Sequence, residues 1–287
     1  MLRKIKQLNR KTLDLMYKLT VRSVIEYGII VMGNNIKVSD MNKLNRIQYA
    51  AGKIVSGALH FTNSQKLEQE LGWETIQQRI DLLSLNFFHK IHLGETRPLI
   101  KTCMSELTNS GRRSAGKYNQ HKNFGSNHQK SFFPYYTKIW NKLPDETRKL
   151  TATEFKAEIK SQFTNTKKYL HCGSKIGNKL VTWLRVGRSY LNSHSYMINK
   201  TESPACSCGA TNETVSHFIL TCHKYDNLRQ HLINSVSAVV PNLHQLNNAT
   251  KLDILLFGKP DLEFKDNKII QYATQTYVLS TDRFKNL

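Results

Sequence analysis

Acidic side chains and prolines are scarce in this sequence, and familiar catalytic signatures are missing from it. Six prolines and 14 glycines in 287 residues exclude a collagen-like or low-complexity polymer. Hydrophobic residues at 39% supply the core that a disordered chain lacks. A chain of this length builds one to three domains. The opening MLRKIKQLNRKTLDLMYKLTVRSVIEYGIIVM is interrupted by Asp14, Lys18, Arg22 and Glu26, so it makes neither a signal-peptide core nor a membrane span. No GxSxG, HExxH or GxGxxG motif occurs, nor GxxxxGK followed by Ser or Thr, which removes the usual signposts of hydrolase, metalloprotease, dinucleotide and P-loop chemistry. The cysteines number five, an odd count. Three of them fall within 17 residues, which fits metal ligands with Cys103 and Cys172 as bystanders, in a reducing compartment, nucleus or cytoplasm.

What the chain has in excess is positive charge. Lys and Arg total 42 against 21 Asp and Glu, a net charge of +21, with a pI near 9.8. The surplus is uneven: 15 basic against 8 acidic residues over 1–100, 19 against 5 over 101–200, and 8 against 8 over 201–287. A basic stripe concentrated in the middle third is the electrostatic footprint of a phosphate-binding track, whereas a charge serving solubility alone would be spread along the chain.

Apolar periodicity predicts a mainly α fold: a helical bundle region, then a small zinc-knuckle domain with flanking helices. Leu13, Met16, Leu19 or Thr20, Val24 and Tyr27 or Gly28 form one stripe. Met41, Leu44, Ile47, Ala51, Ile54 and Val55 form a second, with Ser39 as its cap, and Ile76, Ile80, Leu83, Phe87 and Ile91 form a third ending at Gly94. The expected divisions are a helical region over 1–104, a basic flexible linker over 105–130, a short helical segment with WNKLP over 131–168, and a basic helix, cysteine cluster and C-terminal helices over 169–287. Thr153 is the expected cap before Phe155, Ile159 and Phe163, and Gly258 the stop of a helix from Thr250.

SPACSCGATNETVSHFILTCHKY carries the chemistry. Cys206, Cys208, His217 and Cys222 are four soft or borderline donors able to converge on one ion. Since the protein supplies all four positions, they predict one structural Zn²⁺ without an open catalytic site. Just upstream, Lys179, Arg185 and Arg188 share a helical pattern with Trp183, Tyr190 and His194. Cations for phosphates and a ring for base stacking make Lys179, Trp183, Arg185 and Arg188 candidate nucleic-acid contacts, although a tryptophan at helical spacing fits a core equally well. Arg112 and Arg113 in the linker are further candidates.

These segments carry a resemblance. MYKLTVRSVIEYG at Met16–Gly28, then KLNRIQYAAGKIVSGA, FFPYYTKIWNKLP, LVTWLRVGRSYLNSH and CSCGATNETVSHFILTC resemble, over nearly the whole chain, the C-terminal region of non-LTR (LINE, jockey-like) retrotransposon reverse-transcriptase polyproteins. The resemblance implies a post-palm helical region, RNA and target-DNA handling through the phosphate backbone, and Cys206, Cys208, His217 and Cys222 as zinc ligands. It also implies a possible partner in the remainder of the polyprotein. It does not bring polymerase chemistry, because the adjacent aspartates of that family's palm, which hold two metal ions, have no counterpart: no Asp-Asp pair occurs here. On this reading the chain is a fragment or a relic reading frame and not itself an enzyme. Two other readings compete. One is a protein-interaction module organised by zinc. The other is a restriction-like nuclease remnant at Pro260, Asp261, Glu263 and Lys265, whose elements abut where that chemistry would want them apart.

Overall fold

The computed structural model describes residues 2–100, 116–119, 126–163 and 167–285. Cys103, Arg112, Arg113 and most of the expected 105–130 linker lie outside them. The chain is mainly helical, with no strand among the described residues. Its longer helices are α1 (Arg10–Met16), α2 (Val38–Ser56), α3 (Ser64–Leu71), α4 (Ile76–His92), α5 (Phe132–Trp140), α6 (Ala152–Phe163), α7 (Lys175–Arg185), α8 (Asp226–Ser237), α9 (Asn248–Phe257) and α10 (Phe264–Ser280). They sort into two compact units. One comprises 1–17, 49–72 and 166–287, and the other 18–48 and 73–165. The boundaries expected at 104, 130 and 168 are therefore replaced by interleaved segments.

Local chemistry sets the helix ends. Thr75 and Gln78 form a reciprocal capping box at the start of α4, satisfying two otherwise orphaned amides. Thr151 and Glu154 do the same for α6, so Thr153 lies inside that helix. Ser39 likewise falls within α2, whose first amide bonds run from Asp40 and Met41 to Lys37 O. The first expected stripe fails for a different reason. Between Tyr17 and Arg22 the backbone widens into a π turn, which shifts the phase of the residues that follow. Tyr17 is buried, whereas Val24 and Tyr27 are 73% and 91% exposed.

In the 18–48 and 73–165 unit, α4 is the spine. Its Leu82, Leu85, Phe88 and Ile91 pack with Tyr136 and Trp140 of α5 and with Phe155 and Ile159 of α6. The WNKLP segment anchors backbone. Trp140 is fully buried and its Nε1 donates to Gly116 O at 2.9 Å, while Asn141 bonds both the N–H and the C=O of Tyr118. His89 stacks on Phe155 with ring centroids 4.0 Å apart, and His92 Nδ1 lies 2.5 Å from the Tyr118 hydroxyl. Burial pushes both imidazoles below their usual value, because a buried ring disfavours the cation.

The other unit is built around α10, against which α7, α8 and α9 pack. One side of α10 is polar yet buried. Asn267 bonds the backbone of Lys259 and Leu262, Thr274 donates to Leu255 O at 2.8 Å, and Gln275 donates to Cys172 O at 2.7 Å. These side chains satisfy carbonyls at the end of α9 and in the turn before α7, which would otherwise be buried unpaired.

At the centre of this unit sits Glu70 on α3, 2% exposed at its side chain. Its Oε1 accepts from Arg10 Nη1 at 2.8 Å, from Arg185 Nη1 at 2.9 Å and from Thr182 Oγ1 at 2.9 Å, and Arg10 also donates to Glu70 O at 2.7 Å. Burial alone would raise the carboxyl, but the two guanidiniums outweigh it and hold the group down at about 2. Burial lowers Arg185 as well, which a guanidinium tolerates while staying cationic.

Two outcomes follow. Glu70→Ala strands two buried guanidiniums and is expected to cost roughly 3–5 kcal/mol in urea unfolding, whereas Asp40→Asn, which breaks the exposed Asp40–Lys43 pair, should leave the urea midpoint nearly unchanged. An equal loss from both would refute the hub. The depressed histidines set a pH dependence of defined sign. The unfolded chain binds their protons more readily, so stability is full above the ordinary histidine value of 6.5 and falls as pH drops below it. Urea midpoints taken on both sides of that value should show the loss, and His89→Phe should shrink it.

Candidate metal centre

The cysteine and histidine cluster is shaped by two turns. In the first, Gly209 N donates to Cys206 O and Cys206 N to Ala210 O, both at 2.9 Å. Gly209 takes φ +96°, a conformation that a residue with a Cβ resists, and this allows ligands separated by a single residue to point the same way. The second begins where Thr214 Oγ1 accepts from His217 N at 3.1 Å. It continues as a π turn over His217–Thr221, and Cys222 N closes it on His217 O at 2.8 Å.

The four ligand atoms of Cys206, Cys208, His217 and Cys222 lie within 4.8 Å of one another. Cys206 Sγ is 3.8 Å from Cys222 Sγ, and Cys208 Sγ is 3.3 Å from His217 Nε2. The sulfur separation is far beyond a disulfide bond of about 2.05 Å. His217 is oriented by its other nitrogen, since the Thr221 hydroxyl lies 3.2 Å from Nδ1 and leaves Nε2 to face the cysteines, the supporting contact that a metal-binding imidazole uses. The group can therefore hold a metal ion.

The cluster is not a separate small domain. Cys206 and Cys222 are buried in the same core as Leu184, Phe218, Ile219, Tyr225, Val236 and Tyr277. The carbonyls of the π turn are tied from behind. Tyr277 donates to Phe218 O at 2.6 Å, Arg229 Nε donates to Ile219 O at 2.9 Å, and Arg229 Nη2 reaches Cys222 O. A backbone hydrogen bond from Ala210 lowers the Cys208 thiol, whereas burial pushes Cys222 up to about 12. A buried thiol of this kind exchanges its proton for a cation when it binds one.

The basic helix upstream divides differently from expectation. Trp183 is 1% exposed and its Nε1 donates to Gly57 O at 2.8 Å. It is a core residue and offers no face to a base. Arg185 is also buried, engaged by Glu70, Gln271 and Leu256 O, and cannot reach a phosphate. Lys179 lies over the Trp183 ring at 4.8 Å and is half-buried, while Arg188 is half-buried with Nη1 3.0 Å from His194 Nε2. Pro260, Asp261, Glu263 and Lys265 are exposed around the start of α10, with Lys265 paired to Glu263 at 3.1 Å.

Supporting residues that the motif alone does not name are Thr214, Thr221, Arg229 and the Glu213–Arg283 pair, joined at 2.6 Å. Of these, Thr214 had a signal, a Thr three residues before His217, the spacing of a helix cap. No helix among the described residues is long and apolar enough to cross a membrane. Compared with family models, curated proteins and solved structures, the chain matches none.

Elemental analysis of the purified chain should find a metal ion that Cys222→Ser fails to retain, with a lowered melting temperature. Cys172→Ser, outside the cluster, should change neither. Equal effects of the two substitutions would refute the ligand assignment.

Proposed function

We propose that the chain is a zinc-stapled nucleic-acid-holding module of the kind found at the C-terminus of non-LTR retrotransposon reverse transcriptases, without a polymerase centre of its own. The observation that carries this is the convergence of three sulfurs and one imidazole in a chain whose basic helix α7 is followed by a half-buried arginine, Arg188. Zinc is the ion the donors favour, because a Cys₃His set is a recurrent structural zinc site. Two sulfurs each about 2.3 Å from a tetrahedral ion stand about 3.8 Å apart, which is the Cys206–Cys222 separation. Bound zinc would cross-link the two turns and supply folding energy rather than chemistry.

The net charge of +21 supplies attraction for RNA and single-stranded DNA through their phosphates, with little sequence readout. The absence of paired aspartates leaves polymerisation to another part of any parent polyprotein. Binding of a labelled single strand should weaken log-linearly with salt. Three or more phosphate contacts predict a loss of roughly tenfold or more between 50 and 200 mM. Salt-insensitive binding, or none, would overturn this reading in favour of a protein partner.

A further inference from the structure

A cleft of about 430 Å³ opens between the turn that ends α7, the short helix Asn192–Met197 and residues 213–215, which lead into the metal turn. That volume is within the range of small-ligand sites. Its carboxylate, Glu213, is buried and already occupied: Arg283 binds it at 2.6 Å and Asn192 N donates to it at 2.7 Å. The remaining charged groups on its lining are basic, Lys66 and Arg188 with His194 beside them. Lys66 is exposed.

Arg188 is aimed by the chain. Gly187 takes φ +70° and donates to Leu184 O at 3.2 Å, and Arg188 N reaches back to Trp183 O at 3.0 Å. This is the two-bond helix stop that a left-handed residue permits, and it turns Arg188 out of the helix just after Arg185 has turned in. His194 then holds the side chain. Its Nδ1 is 2.7 Å from Ser189 O; a carbonyl only accepts, so that nitrogen carries the proton. Nε2 is therefore free to accept from Arg188 Nη1 at 3.0 Å. One edge of the guanidinium is fixed and the other donors remain for a ligand. Met197 and Val215 also line the cleft and give it an apolar wall.

We propose that this cleft binds a single nucleotide unit, its phosphate between Lys66 and Arg188 and its base against the apolar wall. This rests on the nucleic-acid reading above and adds the place where a strand is gripped. The same chemistry could come from an unstacked residue within a strand or from a free nucleoside monophosphate, so the test carries both.

The zinc-loaded full chain is titrated with a labelled single strand over a salt series and, separately, with a labelled nucleoside 5′-monophosphate. Lys66→Ala and Arg188→Ala are each expected to weaken strand binding roughly tenfold and to make the salt dependence shallower by about 0.7 in log–log slope, one phosphate's share on a single strand. Arg188→Lys keeps the charge and should preserve the slope. His194→Ala, which frees the guanidinium, should cost about threefold through lost ordering with the slope unchanged. Lys285→Ala, ion-paired to Asp282 at 3.2 Å, is the control, and circular dichroism checks that each variant folds. Strand binding by the parent chain that Lys66→Ala and Arg188→Ala leave intact would overturn the cleft while sparing the nucleic-acid reading. Monophosphate binding that Arg188→Ala abolishes, without strand binding, would keep the cleft and overturn that reading. No binding of either probe would overturn both.

Discussion

One buried carboxylate organises the unit that carries the metal turns. Glu70 has been taken out of water, and a lone carboxylate there would be far too costly to keep ionised. Arg10 and Arg185 make it tolerable, and in doing so they draw α1, α3 and α7 to a common point. Arg185 must therefore face inward while Trp183, about 200° round the same helix, is buried against Tyr190 and Gly57 O, and the chain turns outward only after the helix has ended. The path from there through residues 191–222 leads to the cysteines. The cluster is thus seated on a core whose arrangement is decided elsewhere, more than a hundred residues upstream.

Much of the architecture was legible where local rules suffice. The third apolar stripe and its stop at Gly94 match α4, and the stop at Gly258 matches the end of α9, because periodicity and left-handed caps are short-range signals. The CxC, His and Cys spacing also marked four residues that do come together. The misses have physical causes. A π turn leaves no composition signature, so the stripe through Val24 and Tyr27 was misphased. Thr151 and Thr153 are equally good caps on paper, and Glu154 chose between them. Arg185 and Arg188 cannot be told apart by charge; what separates them is Glu70, an acid distant in the chain and close in space. The interleaving of the units depends on such long-range partners and was invisible to a reading that moves along the chain.

Two of the segments that carry the resemblance also shape the fold. The WNKLP tryptophan and asparagine hold the backbone of Gly116 and Tyr118, and the LRVGRS segment inserts one arginine, stops a helix and turns the next arginine out. Such residues are constrained by packing and backbone geometry whatever the molecule binds. Their presence speaks first to the fold, and the functional reading leans on the metal cluster and on the charge left at the surface.

The interleaved segments also bear on how this chain is made. Neither unit corresponds to a continuous stretch, so no single cut separates them, and contacts spanning more than a hundred residues form slowly. During synthesis the unit ending at residue 165 has all its parts while Glu70 has only Arg10 for company. Arg185 must still emerge, and the cysteines after it. A ribosome that stalls in that interval would leave a nascent chain with part of its apolar core still uncovered, a natural client for chaperones.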